Sequence, residues 1–292
     1  MPSGRRHRPA ARAGHASHSH GPGGNGHDEH GIETEHLFGF TIGSDVGHTG
    51  EKEAFLDITG RFGKRDGSYS ALSKKIEVGI TPVENFHFAV GASASSHWIS
   101  GVTGLEDVNR LTLESISVEM KYRLLDRGKA PFGLTFVIEP HLARVEEVSG
   151  EIVQKQAVEF KLAADQELLK DRLWAAINAL YEPERVQSQA DEIEKESTLG
   201  FSGALTAQVA KDFFLGGEAR YLRKYEGTGL ENFVGDALFV GPTLFAKLSK
   251  QTWLAAAWGV QVAGRSVETP ELALNLEHFT RHQAKLKFGV NF

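Results

Sequence analysis

Two sets of side chains in this sequence could do chemistry. The first is a run of histidines, His15, His18, His20, His27 and His30, set among Gly, Ser and Asp near the N-terminus. Neutral imidazoles ligate Zn²⁺, Cu²⁺ and Ni²⁺, so the run could hold one of these ions loosely. The simpler reading is a flexible polar spacer whose histidines bind metal only opportunistically, because a defined metal site needs fixed geometry and supporting hydrogen bonds that a Gly/Ser stretch does not supply alone. The second set is a mixed-sign ladder: Arg61, Lys75, Glu77, His87, Glu119, Lys121, Glu139, His141, Lys155, Glu159, Lys161, Arg220, Lys247, Lys285 and Lys287. Opposite charges at such spacing can pair across strands and fill an interior. They can also line a conduit and select solutes by charge.

Catalytic pairings are sparse. His87 with Ser93 and His141 with Glu139 are the candidates, but a two-residue spacing is what any alternating polar face contains. Gly-x-Ser-x-Gly, His-Glu-x-x-His and Gly-rich phosphate loops do not occur. There is no cysteine, which rules out disulfides, thiolate metal sites and cysteine nucleophiles and is compatible with an oxidising envelope compartment. No enzyme is expected. The net charge of −6 gives no basic footprint for nucleic acid.

The elements that position the ladder are strands. From His282 the pattern alternates to the last residue, with Ala284, Leu286, Phe288, Val290 and Phe292 on one face and Gln283, Lys285, Lys287, Gly289 and Asn291 on the other. A period of two with one apolar and one polar face is a half-solvated strand. The same unit recurs upstream. Ala54, Leu56 and Ile58 oppose Phe55, Asp57 and Thr59; Ile76, Val78 and Ile80 oppose Lys75, Glu77 and Gly79; Phe86, Phe88 and Val90 oppose His87 and Ala89. About thirteen such segments occur, mostly about 9–13 residues long, the length that a tilted strand needs to cross a bilayer. Strands of soluble domains are shorter, about five to six residues.

Mean hydropathy is −0.27, and no run of about 18 apolar residues exists to form a transmembrane helix. Alternating barrel strands escape such averaging. The 32 glycines against 9 prolines fit many strands joined by tight turns. Tight turns at 81–85, 124–131, 165–170, 211–212 and 249–252 interleave with longer polar loops at 97–107, 181–196, 223–235 and 264–277, with 146–150 short among the latter. Short periplasmic turns alternating with longer outer loops are the pattern of outer-membrane barrels. The stretch from Asp165 to Leu180 has helical propensity, but propensity is a weak prior against a repeated architecture, and 165–170 is read as a turn. Trp98, Trp174, Trp253, Trp258, Tyr122 and Tyr221 lie near strand ends and read as an interfacial girdle.

Strand parity sets the wall. Bacterial single-chain barrels have even strand counts, and counting back from Phe292 makes the segment at 53–62 the first wall strand. The strand-like segment at 37–43 then becomes a periplasmic or lumen-facing lead-in. Residues 1–35 carry few apolar side chains and should be disordered. They contain no apolar core of the kind a secretory signal needs, which suggests a start codon placed too late or a truncated chain.

The stretches Lys75-Ile-Glu-Val-Gly-Ile-Thr-Pro-Val-Glu-Asn-Phe-His-Phe and Glu119-Met-Lys-Tyr-Arg-Leu-Leu-Asp, with the terminal Phe292, resemble a family of largely uncharacterised Gram-negative outer-membrane barrels. These are similar to barrels associated with phenol-degradation pathways and aromatic uptake. The resemblance covers about residues 37–292. Its motifs are turn and strand signatures, so it implies a barrel and no particular substrate, and it carries no catalytic residues.

The expectation is therefore an all-β chain: a disordered His-rich tail at 1–35, a lead-in at 36–51, and an antiparallel up-and-down barrel of about twelve strands at 52–292 in the outer membrane. Its partners would be the lipid bilayer, a small-molecule solute, and the outer-membrane assembly machinery through the C-terminal strand. No cofactor is expected beyond loosely held Zn, Cu or Ni on the tail. The function read from this is a porin-like or uptake channel. The alternative is a non-conducting structural or metal-tethering barrel that uses the tail.

Overall fold

In a computed structural model, residues 32–292 are described; the histidine run His15, His18, His20, His27 and His30 lies outside them. Twelve strands form the wall: β1 (Lys52–Phe62), β2 (Ser68–Val83), β3 (Phe86–Ser100), β4 (Val108–Leu125), β5 (Gly133–Val145), β6 (Ile152–Leu169), β7 (Leu173–Gln187), β8 (Ile193–Ala210), β9 (Phe213–Glu226), β10 (Asn232–Lys247), β11 (Thr252–Ser266) and β12 (His282–Asn291). Each pairs antiparallel with its neighbours in sequence, and β1 pairs with β12 to close the barrel. The closing register runs from Glu53 opposite Asn291 to Phe62 opposite His282. The backbone groups of Lys52 and Phe292 exchange two further hydrogen bonds, of 3.0 and 2.8 Å. Closure leaves no sheet edge unpaired, which a bilayer requires.

The period of two sorts the side chains. Leu56, Ile76, Val78, Val90, Ile116, Ile177 and Phe201 are exposed on the outer face, an apolar surface suited to lipid rather than water. Their neighbours in sequence point inward, and Asp57, Glu77, His87, Lys121, Lys155 and Glu218 are buried there.

The strands are longer than sequence periodicity suggested, reaching 18 residues in β4, β6 and β8. The stretch 165–170 is not a turn. Asp165 pairs opposite Ala176 within the β6–β7 ladder, and the reversal falls at 170–172, where Asp171 takes φ 55°, a conformation Asp tolerates. The polar stretches 181–196 and 223–235 are mostly ladder too: Arg185 faces Lys195, Gln187 faces Ile193 and Arg223 faces Leu199. Beyond the apolar band both faces of a strand meet polar surroundings, so alternation stops marking it and such residues read as loop. Among the outer connections only 267–281 is long.

Two of the expected girdle aromatics point the other way. Trp98 and Trp258 are each 43% exposed on the outer face, but Trp174 and Trp253 are 2% and 6% exposed inside the barrel. With Phe55, Phe214 and Phe245 they form an apolar collar that grips Leu37 and Phe38. The segment 32–51 thus inserts into the barrel at the end where β1 begins and β12 finishes. Thr34 and Glu35, which composition groups with the tail, are buried there as well.

Candidate functional site

The segment 32–51 belongs to no β-ladder, so its backbone polar groups need partners elsewhere; leaving them unmet would cost about 1–3 kcal/mol each. The lumen wall supplies them. Glu218 of β9 accepts from the backbone N–H groups of Phe40 and Thr41 at 3.1 and 3.0 Å. Asn178 of β7 accepts from Ile42 N–H at 2.8 Å and donates to Ile42 C=O at 2.9 Å. Asp165 of β6 accepts from Ser44 N–H at 2.7 Å and from its hydroxyl at 3.0 Å. The Thr135 hydroxyl of β5 donates to Ser44 C=O. Four wall strands thus satisfy one short stretch of chain.

Charge locks the same segment. Arg127, in the β4–β5 turn, donates to Asp45 at 2.8 Å and to Asp165 at 3.0 Å, while Thr34 N–H donates to Asp45 at 2.9 Å. Burial pushes the Asp45 carboxyl above the usual carboxylate range, against the pull of Arg127 and Thr34. Lys121 of β4 reaches Glu35 at 2.5 Å and Glu119 at 2.8 Å. His36 stacks on Trp253 with ring centroids 4.1 Å apart, and its Nε2 lies 3.0 Å from Glu53. Burial holds the His36 imidazole well below its ordinary pKa; a neutral ring donating to Glu53 leaves the buried Nδ1 unpartnered.

Glu35, His36 and Glu53 offer ligand atoms within 4.8 Å of one another, a donor set that could hold a divalent ion. Here the Lys121 ammonium sits on Glu35 and the imidazole on Glu53, so an entering cation would have to displace an ion pair and a hydrogen bond.

Between this segment and the far mouth lies a cavity of about 410 Å³ whose lining includes Phe40. At the mouth it meets residues 146–148 and 278–280. Phe279 packs on Ala237 and Phe239, and Asn275, fully buried, exchanges hydrogen bonds with Gln261. The outer loops therefore fold inward over the cavity. Arg61 pairs with Glu147 and holds that loop carboxyl down to about 2.

The ladder residues divide between two levels. Arg61, Lys75, Glu139, His141, Lys155, Glu159, Lys161, Arg220 and Lys285 line the cavity. There Lys75 bridges Glu77 and Glu139 at 2.5 Å each, Lys161 meets Glu159 at 2.6 Å, Lys155 pairs with Glu184, and His141 Nε2 is 3.5 Å from Glu182. Glu119 and Lys121 meet beside the inserted segment. Lys287 stands 3.7 Å from Asp57 and over the Phe55 ring, and Lys247 is exposed near the rim. His87 bonds Thr81 at 3.2 Å and Ser93 bonds Ser115 at 2.7 Å. Glu139 and His141 have the separate partners already given. Neither candidate pair forms a nucleophile–base contact among the described residues.

Several residues of the site were not singled out from the sequence. Asp57, Asn178 and Glu218 share the inward parity of their strands, which was a usable signal. Thr34, His36, Phe40 and Asp45 had none, because their roles depend on wall residues far along the chain.

No curated protein matches the sequence. In fold the chain is similar to the COG4313 outer membrane channel from Pseudomonas putida F1, with a TM-score of 0.60, 9% identity, and 85% of this chain and 98% of that one covered. It is also similar to the β domain of the Bordetella autotransporter BrkA, with a TM-score of 0.51, 12% identity, and 84% and 100% covered. The translocator domain of the autotransporter NalP from Neisseria meningitidis gives 0.50, 14%, and 85% and 91%. At these identities the likeness is one of fold, that of outer-membrane barrels. The chain belongs to the family of unknown function DUF6662, whose model matches residues 30–292.

Proposed function

We propose that the protein is an outer-membrane channel for a small solute, held closed on the periplasmic side by residues 32–51. The observation that supports this most is the charge-lined cavity of about 410 Å³ inside a closed wall whose outer face is apolar. A barrel kept only as a scaffold could fill its interior with side chains, as small barrels do. Here an interior space is kept, floored by a segment outside the wall's own ladder. The start of β1, the end of β12 and the short turns mark the periplasmic end, and the long 267–281 loop marks the outer end. In this reading the nine ladder residues that line the cavity, Arg61 to Lys285, set which solutes enter. The bilayer and a small solute are the partners, with the assembly machinery engaging the strand that ends at Phe292.

Planar-bilayer recording tests the reading. The full chain should show low or intermittent conductance, and a variant lacking residues 1–50 a larger and steadier one. Heat-modifiable migration on gels verifies that both are folded. Absence of conductance from both folded forms would sink the channel and favour a non-conducting barrel.

A further inference from the structure

Of the seven Lys and Arg side chains lining the cavity, six have a carboxylate at ion-pairing distance: Arg61, Lys75, Lys155, Lys161, Lys224 and Lys285. Arg220 of β9 has none among the described residues. Its guanidinium lies 3.6 Å above the Phe40 ring and 5.7 Å from Phe239, and one N–H donates to Gln283. The nearby Glu218 is committed to the backbone N–H groups of Phe40 and Thr41. Stacking on an aromatic face stabilises the guanidinium. It does not use the in-plane donors by which a guanidinium binds an oxyanion side-on.

Lys285 stands beside it. Its ammonium is 5.1 Å from the centre of the same Phe40 ring, and it shares Asp57 with Lys287, at 3.2 and 3.7 Å respectively. Arg220, Lys285 and Lys287 against Asp57 and Glu218 leave one positive charge in excess at the cavity floor. The rest of the lining carries seven carboxylates against five Lys and Arg side chains, so the floor is the part of the cavity where a single negative charge gains most.

We infer that the cavity floor at Arg220 and Lys285 is a binding site for a small monoanionic carboxylate. The guanidinium would take the two carboxylate oxygens in a fork, Lys285 would add a point charge, and Gln283 and Phe40 would hold the guanidinium in orientation. A dianion such as phosphate exceeds the local surplus and faces the glutamate rows above. The inference rests on the channel reading only in that the solute must reach the lumen.

Isothermal titration calorimetry of the full chain in detergent micelles tests it, with sodium butyrate, neutral butyramide and inorganic phosphate at constant ionic strength and at a pH where phosphate is the dianion. Butyrate should saturate a single site, with butyramide and phosphate much weaker. Arg220→Gln should weaken butyrate at least about tenfold, the loss of one charged hydrogen-bond pair. Lys129→Gln, the same charge change in an exposed turn, should leave binding as it was. No saturable butyrate binding, equal binding by folded Arg220→Gln, or phosphate binding as tightly as butyrate would each overturn the site. Conductance without butyrate binding would sink this site and spare the channel; binding without conductance would do the reverse.

Discussion

Arg127 and Asp45 meet at 2.8 Å, and this contact ties the inserted segment to the turn between β4 and β5. The same guanidinium holds Asp165 of the wall, so one side chain serves both sides of the joint. Removing one partner of a buried pair costs more than the pair contributes net, because the remaining charge is left uncompensated. Arg127→Gln should weaken docking of residues 32–51 by on the order of 3 kcal/mol, leaving two carboxylates facing each other. Limited proteolysis should then cut within 32–51 faster, while heat-modifiable migration shows an intact wall. Unchanged cleavage would mean that the hydrogen bonds to Asn178 and Glu218 suffice.

Gly39 is a second point of control. It takes φ +90°, and a Cβ there would fall 2.8 Å from Ala257 Cβ and 2.9 Å from Thr243 Cγ2. Both the conformation and the space exclude a side chain. Gly39→Ala should cost about 1–3 kcal/mol of docking through strain alone and should lengthen open times in planar bilayers. Wild-type gating in this variant would show that the segment does not occlude the pore.

The aromatic collar offers an optical readout. Trp174 and Trp253 pack against Leu37 and Phe38, whereas Trp98 and Trp258 face outward. Phe38→Ala should remove about 3–5 kcal/mol of packing and admit water to the collar. Tryptophan emission should shift to longer wavelength. If it stays put, Phe38 is not the residue that keeps the collar dry.

Docking should also depend on pH. In the docked segment the His36 imidazole is held neutral, its pKa well below the ordinary 6.5, chiefly by burial; Lys287 and Lys121 lower it further and Glu35 and Glu119 oppose them. The undocked segment therefore binds more protons below about 6.5, and docking is full above that value and weakens as the pH falls beneath it. Glu33, pushed up to about 7 mainly by burial, and Asp45, raised mainly by burial, act in the opposite sense, but the Glu33 side chain is 48% exposed and solvent screens it, while Arg127 and Thr34 pull Asp45 back toward its charged form. Proteolytic release of the segment should thus rise on going from pH 7 to pH 5, and His36→Gln should flatten that rise. A wild-type profile flat over this range would remove His36 from the account.

Sequence periodicity carried the wall well. The twelve strands from Lys52 to Asn291 and the closing pair β1–β12 follow from side-chain parity, because each wall residue has only lipid or lumen to face. The same parity also held the orientation of Trp174 and Trp253: Ala175 and Ile177, or Leu254 and Ala256, on the outer face leave these tryptophans inside. By residue type alone an aromatic at a strand end suits a girdle or a collar equally, and only its parity tells the two apart. The partners within the ladder were less legible. That Lys75 bridges Glu77 and Glu139, rather than a neighbour across a single pair, depends on register and on side-chain reach over three strands. Least legible was the inserted segment, since Phe38 and Phe40 alternate with glycine and threonine as a strand would, while the partners of the Phe40, Thr41 and Ile42 backbone lie more than a hundred residues away.

That distance orders the molecule's assembly in time. Thr41 N–H bonds Glu218, which lies 177 residues downstream, and Ile42 bonds Asn178, 136 residues downstream. Contacts of such long range are slow to form, and these require β7 and β9 to be in place. The segment 32–51 therefore docks only once those distant strands present their inward side chains, and until then the lumen at that end stays open to water.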